Sequence, residues 1–295
     1  MKQLNKLINK LNGFQQRHRL TAFIYAVIKK YGEDGAGYNA ALLTYYGFLS
    51  LFPLLLVLTT LVDKFLSSYP HQKDTVLKSI NDYFPSLGTQ LANHITTLHT
   101  NGIALWVGVL FLIYGAHGVA DVWRHGIQDV WGIPKRKREG FPAGLIKSLG
   151  IIVIGGLGFL FASVTATVAA AAGQGWAFRT LSIVLNLLIL FWLFVFLLNI
   201  CLPKHVSFKE TRVGAAVAAV GLVILQALGG YILTRQLKSL DALYSYFALS
   251  LGLLFWIYLQ SQMLYYAAEI AVVSSKKLWP RSFSDPPLDH VPQER

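Results

Sequence analysis

The sequence predicts an all-α polytopic membrane protein. It has six transmembrane helices, both termini cytoplasmic, an N-terminal amphipathic helix and a helical external loop. Composition is the first ground for this. Of 295 residues, 54% are apolar and 14% are charged, against about a quarter charged in soluble domains. Mean hydropathy is +0.49. The second ground is length. Six runs free of Asp, Glu, Lys and Arg reach the roughly 20 residues needed to cross a hydrocarbon core. They cover about half the chain, too much to hide in a soluble core. The third is charge placement. Assigned alternately to two sides, 20 of the 26 lysines and arginines fall on one side, which marks that side, and both termini, as cytoplasmic. The net charge of +12 is therefore mostly a topology signal and needs no nucleic acid to explain it.

Residues 1–39 form a cytoplasmic basic segment. Leu4, Leu7, Ile8, Leu11 and Phe14 recur at helical spacing, as do Leu20, Phe23, Ile24, Val27, Ile28 and Tyr31, with lysines and arginines filling the other, wet face. Such a segment either lies on the inner leaflet or packs on the other cytoplasmic loops; both fit. It lacks the continuous apolar stretch of a cleavable signal peptide.

The transmembrane domain, 40–275, follows. Span one is 40–62. Its Pro53 has no N–H and crowds the Leu49 carbonyl, so a kink is expected, with Ser50 placed to satisfy freed backbone groups. The external loop, 63–99, carries apolar positions suited to two short amphipathic helices parted at Pro85. Span two, 100–121, bears a polar stripe of Tyr114, His117, Asp121, Arg124 and Gln128, which continues beyond it. Asp121 and Arg124 are spaced for a local ion pair, and His117 is expected as a hydrogen-bonded core histidine. Span three, 148–172, leads to a turn at 173–175 and shows small residues at Gly158, Ala162 and Ala166, a pattern for close helix contact. Arg179 parts it from span four, 180–202. Spans five and six are 213–234 and 246–272. Asn186 and Gln226 are single amides expected to glue the bundle. The tail, 276–295, is expected to be disordered.

Four stretches resemble the YihY/BrkB family of bacterial inner-membrane proteins, which once carried the label ribonuclease BN. The first is Ala40-Ala-Leu-Leu-Thr-Tyr-Tyr-Gly-Phe-Leu-Ser-Leu-Phe-Pro-Leu54. The second runs from Asp121 to Trp131 with Gly132 and Ile133 after it. The third is Lys204-His-Val-Ser-Phe-Lys-Glu-Thr-Arg-Val-Gly214, and the fourth is residues 246–270, ending Leu264-Tyr-Tyr-Ala-Ala-Glu-Ile270. The resemblance covers about residues 30–275. Ala267, Gln128 and Thr44 depart from the usual Gly, Asn and Ala. It implies a six-span membrane protein with links to envelope integrity and serum resistance, and no agreed substrate.

Glu269 is the acid in the apolar core of span six. It stands near the helix C-terminus, where the macrodipole disfavours a negative charge, so a cationic partner is expected. Lys147, Lys204 and Arg212 lie on the same side as candidates. The pair is either a structural clamp or a gate. Tyr258, Gln262, Tyr265 or Tyr266, and Glu269 follow one helical face that lipid would not reward. It is either interhelical glue or the lining of a polar path. The candidate path or gate comprises Tyr45, Tyr46, Ser50, Pro53, Tyr114, His117, Asp121, Gln262 and Glu269.

These features favour a transporter or flippase-like protein for a lipid or other amphiphile, with the basic inner skirt gathering anionic headgroups. The alternative is a scaffold for envelope machinery docking an envelope protein through the loop 63–99. Membrane lipids are the expected partners, and a homo-oligomer is allowed. Catalysis is not expected. The eight histidines are scattered over both sides, the cytoplasmic acids are isolated, and no metal-ligating, nucleophile-elbow, phosphate-loop or cofactor motif occurs. A lone cysteine, Cys201, leaves no internal disulfide.

Overall fold

A computed structural model describes residues 18–66, 102–170, 176–203, 206–236 and 242–282. Several sequence expectations lie outside these residues: the segment before His18, nearly all of the external loop, the turn at 173–175, Lys204 and the tail beyond Ser282. The described residues hold seven α-helices. They are α1 (Arg19–Glu33), α2 (Ala36–Leu66), α3 (Gly102–Val130), α4 (Ala143–Ala170), α5 (Trp176–Cys201), α6 (Phe208–Gln236) and α7 (Ala242–Ser275), with a 3-10 turn at Lys135–Lys137.

Each predicted span falls on one of the helices α2 to α7. Two stretches, Trp106–Val130 and Thr180–Cys201, are continuous helix long and apolar enough to cross a bilayer, and Ala143–Phe159 is a shorter apolar helix. Their outward side chains are bare hydrocarbon: Trp106, Leu110 and Ile113 on α3, and Leu181, Leu188 and Phe196 on α5, are all more than half exposed. Apolar side chains exposed in such number along each helix suit lipid rather than water.

Two turns need glycine. Gly35, at φ +62°, ends α1 so abruptly that α2 begins at the next residue. Gly132, also at φ +62°, closes α3. Its N–H donates to the Asp129 carbonyl at 2.8 Å and the Ile133 N–H to the Gln128 carbonyl at 2.9 Å, the paired C-terminal bonds that satisfy a helix's last carbonyls.

The chain divides into two compact units. One comprises the described parts of Met1–Ala41, Ala120–Gly229 and Leu259–Arg295; the other, those of Leu42–Val119 and Gly230–Tyr258. In the first, α4 and α5 pack antiparallel. A methyl added at Gly150 meets Ile200, at Gly155 meets Leu197, and at Gly158 meets Leu193, so one number falls as the other climbs. Ala162 on the same face is buried, so Gly158 and Ala162 of the small-residue pattern serve contact within the monomer. The α6–α7 pair is tighter still. A methyl at Gly214 lies 2.5 Å from the Ala267 carbonyl oxygen, and Gly221 faces Met263. Trp123 and Gln128 on α3 donate to the Leu197 and Cys201 carbonyls of α5 at 3.4 and 3.1 Å.

In the second unit α2 and α3 meet through glycine as well. Gly115 lies against Ser50, whose Cβ stands 2.6 Å from an added methyl, and Gly118 against the Tyr46 ring. Pro53 lies inside α2, which continues as helix to Leu66. Ser50 does not serve the backbone that Pro53 disturbs, as the sequence suggested. Its hydroxyl donates to the Gly47 carbonyl at 2.9 Å, one turn earlier on its own helix.

Candidate functional site

The polar residues picked from the sequence separate into three groups. The first lies where α1 docks on α7. Helix α1 buries Ala22, Ala26, Val27 and Lys30, positions that share one helical face. Lys30 is 1% exposed. Its ammonium bonds the Asp34 carboxylate, donates to the Val130 carbonyl at 2.8 Å and stands 3.2 Å from Glu269 Oε2. Glu269 is fully buried. Its cation is therefore Lys30 and not one of the three candidates drawn from sequence. Lys147 pairs with Glu139 at 2.9 Å, Arg212 is exposed, and Lys204 lies outside the described residues. Burial pushes the Asp34 carboxyl up from its ordinary value, with the Lys30 ammonium pulling the other way.

Two further residues of the α7 stripe meet the same helix. Gln262 accepts a hydrogen bond from the Tyr31 hydroxyl, and Tyr266 stacks on the Tyr31 ring with centroids 4.0 Å apart. Tyr265 turns away. It lies beside Trp123 and donates to the Val122 carbonyl on α3 at 3.2 Å. So Gln262, Tyr266 and Glu269 form the seat of α1. Sequence reasoning missed Lys30, Tyr31 and Asp34 as partners because lysines were assigned to the wet face. Yet Lys30 follows Val27 by three positions and Phe23 by seven, which places it on the apolar face.

The segment after α7 straps the outside of α1. Arg281 grips the Glu33 carboxylate with two bonds, 2.6 and 3.1 Å. Lys29 donates to the Ser282 carbonyl at 2.7 Å, and Trp279 sets its ring edge-on to Phe23 at 5.1 Å. Residues 276–282, expected to be disordered, are thus docked. Of the two readings for α1, packing on neighbouring elements describes one face. Leu20, Ile24 and Ile28 remain exposed on the other.

The second group is the C-terminal end of the α3 stripe. Asp121 pairs with Arg124 at 2.7 Å, as the spacing suggested, and with His125 at 3.2 Å. Arg124 is buried and reaches the Glu139 carbonyl at 3.2 Å. Arg138 in the following loop binds the Ile133 carbonyl and Asp129. Asp121 and Arg124 therefore hold helix and loop together, and Gln128 is spent on α5. The third group is Tyr45, Tyr46, Tyr114 and His117 on α2 and α3. Tyr46 touches the rings of Tyr45 and Tyr114, at 5.2 and 6.2 Å. Tyr45 and Tyr114 are 57% and 59% exposed. His117 is exposed too, not a core histidine. Of the two amides, Asn186 is buried while Gln226 is exposed.

The described residues hold helices and turns alone, and their bare apolar faces, with charges paired near helix ends, define a helical integral membrane protein. The family described as Virulence factor BrkB matches residues 27–287, and the chain belongs to that family. Its curated relatives include UPF0761 membrane protein VV0203 of Vibrio vulnificus strain YJ016. This relative is 28% identical over 286 residues, covering 92% of this chain and 88% of the relative. UPF0761 membrane protein VV1_0885 of Vibrio vulnificus strain CMCP6 matches to the same extent. No solved structure matches.

Proposed function

We propose that this protein is a six-span protein of the bacterial inner membrane, both termini cytoplasmic, that moves a lipid or another amphiphile and so supports envelope integrity. The observation that carries the reading is the exposed third group. Tyr45, Tyr114 and His117 present polar tips on helices whose other outward side chains, such as Trp106, Leu110 and Phe111, are apolar. Hydrocarbon leaves such tips unsatisfied, so they are retained where a polar headgroup or water meets them. An aromatic ring with a hydroxyl tip suits an amphiphile, which offers both surfaces at once.

A groove in the first unit supports the same reading. It measures about 450 Å³ and is lined by Gly158, Phe161, Leu188, Trp192, Leu193 and Phe196. Its occupant in a membrane is an acyl chain. The reading is non-enzymatic, and metal-dependent cleavage of tRNA by the pure protein, lost on a point substitution, would overturn that part.

The test is native mass spectrometry with lipidomics on gently purified protein. A stoichiometric, non-bulk lipid that is lost in Tyr114→Phe with His117→Ala supports the proposal. Bulk phospholipid alone, unchanged in the double variant, sinks it.

A further inference from the structure

The cluster of Lys30, Asp34 and Glu269 holds one ammonium and two carboxyls. Their side chains are 1%, 11% and 0% exposed. With both carboxyls ionised the cluster carries a net negative charge away from water, an arrangement that desolvation penalises heavily. One proton makes it neutral. The geometry has a place for that proton. Both carboxyls stand against the same ammonium, Asp34 bonded to it and Glu269 Oε2 3.2 Å from it. Neither Glu269 oxygen has a donor in hydrogen-bonding geometry among the described residues, even though the Lys30 ammonium stands 3.2 Å from one of them. A hydrogen bond running from one carboxyl to the other would satisfy one of these two oxygens.

We infer that Asp34 and Glu269 share one exchangeable proton, with Lys30 as fixed counter-ion, and that the proton's presence sets how firmly α1 is held on α7. Two carboxyls in one dry site do not both ionise freely, and the proton belongs to the pair rather than to either residue. It comes from water, and no other group changes charge. Of the surrounding charges, Glu33 bears on the pair and pushes Asp34 further up, while the others are engaged elsewhere. On the α1 side, Glu33 is held by Arg281 and by Lys29 at 3.9 Å. On α3, Asp129 is held by Arg138, and Val130 offers only a carbonyl. On α7, Tyr265 and Tyr266 are engaged with α3 and Tyr31.

The direction of the pH effect follows. Burial raises Asp34 above its ordinary value of 3.8. In the window above 3.8 the docked form binds more protons than the undocked one. Docking therefore strengthens as pH falls through that window and weakens as pH rises past it.

The experiment uses full-length protein in lipid nanodiscs and follows hydrogen-exchange protection of α1 amides, corrected for intrinsic exchange, from about pH 8 to about pH 5. Uptake of one proton shifts the docked-to-undocked ratio by up to about tenfold per pH unit. Asp34→Asn and Glu269→Gln each leave one carboxylate facing Lys30. Each should keep α1 docked and flatten the profile. The infrared carbonyl band of a protonated acid should be present in the unaltered protein and missing from either variant. The unaltered protein's infrared titration decides alone if a variant fails to fold.

A flat profile and no such band would overturn the inference, leaving a plain ion pair. So would a slope that survives both substitutions. Sodium at constant pH reproducing the effect would also overturn it, in favour of a metal cation. Proton sharing does not depend on amphiphile transport. Bound lipid, read on the same samples, fails or succeeds separately.

Discussion

Gly214 has no room for a methyl group. An added Cβ would lie 2.5 Å from the Ala267 carbonyl oxygen and 2.7 Å from the Ala271 Cβ, and backbone does not yield as a flexible side chain does. Gly214→Ala should cost about 1–3 kcal/mol, the usual penalty for overpacking. Gly156 is its control. Nothing lies within 4 Å of an added Cβ there, so Gly156→Ala should gain up to about 1 kcal/mol of helix propensity. Thermal unfolding of the two variants in the same detergent should move in opposite directions; equal shifts would remove the contact argument. Tyr31→Phe is subtler. It keeps the stack on Tyr266 and loses the bond to Gln262, for about 0.5–1.5 kcal/mol. Of these positions the sequence marked Gln262 as polar on an apolar helix. Hydropathy and periodicity did not distinguish Gly214 from Gly156, since close approach depends on the neighbouring helix.

At the scale of elements, α1 and the segment after α7 form one module through contacts far apart in the chain. Arg281 and Glu33 are 248 positions apart. Local periodicity made α1 legible as an amphipathic helix, and even placed Phe23 and Val27 on its apolar face. It did not show what covers that face. No local pattern marks the first residues after 275 as fixed; only the match between a guanidinium and a distant carboxylate shows it. Arg281→Ala should therefore loosen α1 by about 1.5–3 kcal/mol, the range for charge-assisted bonds. Part of this is retained because Lys29 also faces Glu33. Hydrogen exchange should show faster opening across α1 with α4 and α5 unchanged. Uniform loosening of the whole protein would instead make the strap a general stabiliser.

At the scale of the whole molecule, the bundle's helices were legible and its polar geometry largely was not. Hydrophobic runs mark where helices lie because length and apolar content are local properties. Whether Glu269 is a gate or an anchor depends on α1, which hydropathy had set apart from the bundle. Orientation rests on a further physical regularity, the retention of Lys and Arg on the cytoplasmic side, and it leads to a direct prediction. In a Cys201→Ala background, single cysteines at Lys10→Cys and Gln293→Cys should resist a bulky, membrane-impermeant maleimide in intact spheroplasts and react after permeabilisation. Lys78→Cys, in the long loop, should react in both. The charge bias of 20 to six among 26 lysines and arginines is strong enough that full inversion would discredit the rule for this chain. One terminus reacting without the other is the more informative failure. It would mean an odd number of crossings, and the strap from Arg281 to Glu33 could not then join the two ends of one bundle on one side.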